Sequence, residues 1–288
     1  MAHVGVSLGG ELNYGSSRHR IDLWLAWEGK GAVLVLGVPS LMRILMLLAG
    51  GYILLTIACA LFQRKLLYFP SHHDRSNGLS EWEHNGQLIG YARVVATPKT
   101  VWLFLHGNAG QAADRTYVLP SFPATDSVFI LEYPGYGSRP GSPSLASFNA
   151  ASREAYELLK SQYPGTPVCI AAESIGSGPA SHLGTLPDPP AKIVLITPFA
   201  RLADVAAGHY PFLPARLLLR DNWDNVAALQ HYQGQVEIFA ARADTVTPMS
   251  QAKKIADSKP SAVLHIMEGG HNDWSDGSKV KIRYEQGH

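Results

Sequence analysis

From residue 66 onward, short apolar runs alternate with stretches of helical spacing. Residues 101–105, 127–131, 167–171, 192–197, 235–240 and 262–267 are runs of five or six mainly apolar residues. Bounded runs of that length fit strands buried on both faces. Residues 144–163 place Leu145, Phe148, Ala151, Ala155, Leu158 and Leu159 on one side at helical spacing. A helix of small residues is predicted from Ile175, and another over 248–258 with Pro248 near its start. Residues 83–96 contain two strand-like pieces around Asn85-Gly86, a hairpin signal. Strand, loop, helix and strand in repetition predict βαβ units: an α/β fold with a mostly parallel central sheet and helices on both faces. In such sheets the ligand site lies at the carboxyl ends of the strands.

The N-terminal part follows another pattern. Residues 44–62 are 19 consecutive uncharged, mainly apolar residues, flanked by Arg43 and by Gln63-Arg64-Lys65. About 20 residues of helix cross a hydrocarbon core. The run therefore predicts one membrane-spanning anchor, placed over 42–65, with the lipid bilayer as a partner. A buried core helix is the rival reading. So is a cleaved signal peptide, since Ala58-Cys59-Ala60 has a small-x-small form. The length of the run and its immediate basic flank favour a retained single-pass signal anchor. Lys30 and Arg43 on one side stand against Arg64, Lys65 and Arg75 on the other, too even a balance to set orientation. Residues 1–41 are Gly-rich and precede Met42-Arg43, so they read as a dispensable extension.

Composition narrows the class. At 288 residues the chain holds one large domain or two small ones, and residues 66–288 are expected to form the main domain. Lys+Arg is 24 and Asp+Glu is 23, which gives no electrostatic case for nucleic acid. Cys59 and Cys169 make no disulfide scaffold, and no Cys/His spacing resembles a metal site. His72-His73-Asp74 does not either, because adjacent side chains leave the backbone in different directions.

The sharpest chemical motif is Ala171-Ala172-Glu173-Ser174-Ile175-Gly176, between an apolar strand and a small-residue helix. That is the setting of a nucleophile elbow, in which the serine sits on a strained turn and needs small residues two positions to either side. Asp244 follows the run 235–240, and His271 follows the run 262–267. Ser174, Asp244 and His271 would thus meet at one edge of the sheet. His271 would take the Ser174 proton, and Asp244 would hold the imidazole. Asp273 is a rival acid, but it is too close in sequence to His271 to orient that ring easily. An oxyanion hole needs two backbone N–H groups. Ile175 supplies one, and Asn108 in His106-Gly107-Asn108-Ala109-Gly110 the other. His106 is expected to brace that loop.

Between the runs 192–197 and 235–240 lie residues 198–234. A crossover helix of roughly 10–12 residues, the prolines of Tyr210-Pro211-Phe212-Leu213-Pro214, which fix the chain, and a short helical piece over 215–219 leave room for a partial wall but hardly for a mobile lid. An open acyl pocket bordered by Tyr136, Phe199 and Phe212 is expected, with short acyl chains preferred.

These motifs, with Glu132-Tyr133-Pro134-Gly135-Tyr136-Gly137 and Phe62-Gln63-Arg64-Lys65-Leu66-Leu67-Tyr68-Phe69-Pro70, occur in an order that resembles the membrane-anchored serine-hydrolase branch of the α/β-hydrolase superfamily. That branch includes depalmitoylase-like hydrolases. The resemblance spans about residues 42–274. It implies the α/β-hydrolase fold, a serine hydrolase of the carboxylesterase kind, and no metal or organic cofactor. It does not choose among carboxylic ester, thioester and amide substrates, nor does it name the acyl chain. A silent binding protein on the same fold is the alternative from another class, and an intact Ser174, Asp244 and His271 argues against it. The chain departs from the family at Ala172, where Gly is usual, and at Glu132, where Asp is common. Its short polar tail after Trp274 stands where a longer amphipathic helix normally lies.

Overall fold

The computed structural model describes residues 38–73, 78–278 and 280–285, together with the backbone of short strands between residues 6 and 36. The chain divides into two compact units, Met1–Leu61 and Phe62–His288. In the first, the backbone strands Leu23–Glu28 and Gly31–Leu36 pair antiparallel. The dispensability of residues 1–41 concerns a stretch that lies mostly outside the described residues.

Helix α1 runs Val38–Leu67. Its segment Ser40–Leu67 is long and apolar enough to cross a membrane, and the side chains there are not buried. The helix is longer than the apolar run alone predicts. Its last turn is fixed by tertiary contacts: the Gln63 amide donates to Leu218 O, and Arg64 pairs with Asp221.

The second unit is built on eight strands: β1 Ser80–His84, β2 Gln87–Arg93, β3 Val101–Leu105, β4 Ser127–Leu131, β5 Val168–Glu173, β6 Lys192–Ile196, β7 Gln235–Ala241 and β8 Val263–Met267. Their spatial order is β8-β7-β6-β5-β3-β4-β2-β1. β1 and β2 form the expected hairpin, with Asn85 and Gly86 both at positive φ, as a type I′ turn requires. β2 also pairs antiparallel with β4, and the other neighbours are parallel. From β3 the chain passes to β4 on one side, while β5 lies on the other. The loops leaving β3 and β5 therefore flank the switch point where open α/β sheets bind ligands.

β3, β4 and β5 are buried along their whole length, which explains the apolar runs 101–105, 128–131 and 168–172 within them. One face carries the cluster of Leu103, Leu105, Ile170 and Ala172 with α2, Leu145–Gln162. That helix starts at Ser144, whose side chain accepts from Ser147 N–H as an N-cap, and it turns Phe148, Ala151, Ala155 and Leu159 inward. α3 (Ser177–Leu183) also packs here. The other face holds Trp102, Phe104 and Ile196 beneath Trp274, Val280 and Ile282. The terminal segment thus has no amphipathic α-helix among its described residues. A 3-10 turn, Asp273–Ser278, drops Trp274 into that face, and the extended stretch after it buries Val280 and Ile282.

The region after β6 departs from expectation. In place of a crossover helix of roughly 10–12 residues it forms the shorter α4 Leu202–His209 and α6 Asn225–Leu229, with α5 Ala215–Leu218 between them where the sequence predicts a short helical piece. Pro211 and Pro214 fall between α4 and α5, where they cannot continue a helix. α7, Met249–Ser258, follows Pro248 as predicted.

Candidate active site

Ser174 follows directly on β5, at φ +52°, inside a single 3-10 turn that leads into α3. A positive φ is costly for a residue with a Cβ and persists only where the surroundings impose it. Here they do. A Cβ on Gly176 would lie 2.2 Å from Leu105 O at the end of β3, so only glycine allows the turn to seat against that strand.

Three loops bring the expected residues together. Ser174 Oγ is 3.0 Å from His271 Nε2, and His271 Nδ1 is 2.7 Å from Asp244 Oδ2. Asp244 cannot donate when ionised, so Nδ1 carries the proton and Nε2 is left to accept from the Ser174 hydroxyl. Asp244 is itself held in place: Oδ1 accepts from the N–H groups of Val246 and Thr247, each at 2.8 Å. Burial pushes the Asp244 carboxyl up. The hydrogen bond and charge of His271, with the backbone donors, outweigh that and leave its pKa below the ordinary carboxylate value. Asp273 does not reach the ring's partners. Its Oδ2 accepts from Gly270 N–H at 2.8 Å and so closes the loop that carries His271.

Thr247 was not singled out from sequence. Its hydroxyl is 3.0 Å from Asp244 Oδ2, 3.1 Å from His271 Nδ1 and 2.9 Å from Thr197 O. With one proton to give, it ties the acid loop either to Asp244 or to the loop after β6. The only sequence trace is the three-residue spacing from Asp244, a common pattern for a carboxylate capping its own turn.

The loop after β3 is fixed from several sides. His106 is fully buried, and its Nδ1 lies 2.7 Å from Gly107 O. The Arg115 guanidinium donates to Ala109 O and reaches Gly107 O at 3.5 Å. A trans peptide points its C=O and N–H in opposite directions. Holding Gly107 O on the His106 and Arg115 side therefore turns the Asn108 N–H away from them. Arg115 also donates to the Tyr117 hydroxyl, which donates to Glu173 Oε2, beside the elbow. Trp274 Nε1 donates to the other oxygen of Glu173. Glu132 is buried and accepts the Ala112 N–H with both oxygens, a structural use of that position.

The Asn108 side chain points elsewhere. Its Nδ2 donates to Leu67 O at 2.6 Å, and its Oδ1 accepts from Phe69 N–H and from the Tyr136 hydroxyl. Ile175 is buried just after Ser174. The three side chains expected to border an acyl pocket do not share an environment. Tyr136 and Phe199 are buried in the main core, whereas Phe212 is 59% exposed. Tyr136 packs with His106, Tyr133 and Phe148. His72 and His73 have separate partners, Gly137 O and Asp114.

No family model matches the chain. An uncharacterized protein of Mycobacterium tuberculosis is 31% identical over 228 residues, which cover 73% of this chain and 81% of that protein. The lysophosphatidylserine lipase of Danio rerio is 27% identical over 190 residues, 58% of this chain and 49% of the lipase. An esterase of Pyrococcus furiosus superposes with a TM-score of 0.57 at 12% identity, covering 73% of this chain and 92% of the esterase, a likeness of fold.

Proposed function

The chain belongs to the α/β-hydrolase superfamily, among its esterase- and lipase-type members, and from that premise we propose that it is a membrane-anchored serine hydrolase of carboxylic esters or thioesters. The observation that carries the reading is the alignment of Ser174 Oγ, His271 and Asp244 at 3.0 and 2.7 Å on a strained elbow. His271 Nε2 takes the hydroxyl proton as Ser174 Oγ attacks the carbonyl. The oxyanion is met by the N–H groups of Ile175 and Asn108. Nε2 then passes the proton to the leaving alkoxide or thiolate, and an acyl-Ser174 remains. Water, deprotonated by the same nitrogen, releases the acid and restores the hydroxyl. Asp244 stabilises the imidazolium in both halves.

In this reading residues 66–288 are the catalytic domain, 42–65 the anchor, and 1–41 an extension that catalysis does not need. α4–α6 are too short to form a deep cover, which favours short acyl chains. Burial stabilises by about 0.8 kcal/mol per CH₂ and stops adding once a chain passes the pocket floor. The name of the lipase relative raises lysophospholipid esters as a substrate class to include. The test is turnover of a p-nitrophenyl ester series by the full chain in detergent. Efficiency peaking at short acyl chains is expected. A steady rise to palmitate overturns the chain-length reading in favour of a depalmitoylase, and no turnover of any ester or thioester leaves an amidase or a silent binding fold.

A further inference from the structure

The segment around α5 carries large apolar side chains that remain exposed. Leu217 is 86% exposed, Phe212 59% and Tyr210 53%. The neighbouring Arg216 and Arg220 are exposed as well, and residues 210–220 contain no acid. Arg216 pairs with Asp204 at 2.7 Å, which leaves Arg220 among the large apolar side chains with no carboxylate in the segment itself. An exposed apolar patch of this kind marks an interaction surface.

This surface is tied to the end of the apolar helix by four side chains. The Gln63 amide donates to Leu218 O at 3.2 Å, and its oxygen accepts the Arg220 N–H at 2.7 Å, so it brackets Leu217's turn from both sides. Arg64 holds Asp221 through Nε and Nη2 at 2.9 and 3.2 Å, and the Tyr68 hydroxyl donates to the same carboxylate. Asp221 is buried, so this is a fixed joint. Leu66 lies one turn beyond Gln63 on the same helix face, and Leu66 and Phe69 are exposed too. Lys65 adds a further exposed cation.

We infer that the surface formed by Tyr210, Phe212, Leu217, Leu66 and Phe69 seats in the headgroup layer of the bilayer that holds helix α1, with Lys65 and Arg220 against anionic lipid. The occupant follows from continuity. The surface is pinned to Gln63 and Arg64 at the end of the one segment, among the described residues, apolar enough to span a membrane, and its charge has the sign that attracts anionic headgroups. The inference rests on the anchor reading but not on the catalytic one. It places the α4–α6 region at the lipid interface.

The test uses the full chain in vesicles of phosphatidylcholine and phosphatidylglycerol, with the substitution Cys59→Ala and single cysteines introduced by Leu217→Cys, Leu55→Cys or Ser161→Cys. Cys169 is fully buried and does not label. Each site carries an environment-sensitive fluorophore, and quenching by lipids brominated at different depths is read. The label at 217 is expected to shift to the blue and to be quenched best by shallow bromines. The label at 55 should be quenched by deep ones, and the label at 161, at the far end of α2, by none. A label at 217 that behaves like the one at 161 while 55 is quenched overturns the seating and leaves the anchor standing. A label at 55 that no lipid quenches overturns both.

Discussion

Replacing Gly176 by alanine tests the elbow through a steric effect alone. Gly176 has an ordinary right-handed φ, so the new methyl brings no backbone strain. What it meets is backbone: Leu105 O at 2.2 Å, Leu105 C at 2.8 Å and His106 O at 2.9 Å. β3 is locked in the sheet by parallel pairing with β4 and β5, so the carbonyl cannot yield. The elbow must then retreat by about 1 Å to reach a normal contact. Overpacking of this kind costs about 1–3 kcal/mol, and a 1 Å misplacement of a reacting group costs about 100-fold in rate. Gly165→Ala is the control. Gly165 sits at φ +80° with open space around it, so it carries the conformational penalty without displacing the site. Both variants should lose several degrees in a thermal melt, but only Gly176→Ala should lose about 100-fold in kcat, measured on one soluble ester with KM compared. A Gly176→Ala protein with unchanged kcat refutes the claim that close approach of elbow and β3 sets the serine's position.

Asp244→Asn should lower kcat by about four orders of magnitude, because the wrong imidazole tautomer is then favoured. Asp273→Asn should cost less than about tenfold, since an amide oxygen still accepts the Gly270 N–H, and the reverse ranking in steady-state kinetics would reassign the acid. Arg115→Ala should lower kcat by about 10- to 100-fold through loss of the hold on the loop carbonyls at Gly107 and Ala109, with partial rescue by added guanidinium; no rescue and a proportionate fall in thermal stability would make Arg115 merely structural. Burial raises the hydroxyl pKa of Tyr117, Tyr133, Tyr136, Tyr156 and Tyr232 well above the usual value of about 10. The folded state therefore keeps protons that the unfolded chain releases, so this stability is present below pH of about 10 and is lost as pH rises beyond it. Absorbance at 295 nm should show these groups ionising only together with unfolding, and their reversible ionisation in a protein that keeps its circular dichroism would contradict the burial.

What the sequence made legible was whatever a local pattern encodes. Asn85-Gly86 specified the hairpin because both positions need positive φ. The runs at 101–105 and 168–172 are apolar throughout because both faces of those strands are covered. Ser174 stood out because its turn demands small neighbours. The parts that escaped depend on residues far apart in the chain. Arg115 and Glu173 are joined through Tyr117, and nothing near either residue signals it. Gln63 and Arg64 looked like a polar flank, yet they extend α1 by binding residues 218–221. The packing of Tyr136 against His106 and Phe148 joins it to residues 30 and 12 positions away, which no local pattern announces. The crossover helix was expected at the usual length and formed as shorter pieces, while the short helix expected over 215–219 formed as α5, set off from α4 by the prolines at 211 and 214. The tail lacked helical spacing, while its alternation of Val280, Ile282 and Tyr284 was the trace of an extended segment packed on the sheet.

The central claim is that Ser174 is the nucleophile, and covalent labelling addresses it most directly. The full chain is treated with a fluorophosphonate, its intact mass is recorded, and the modified peptide is sequenced. The account predicts a single adduct, on Ser174, that is absent from Ser174→Ala and formed far more slowly in His271→Ala. An adduct carried by another serine, or one that forms in Ser174→Ala at the original rate, would contradict it.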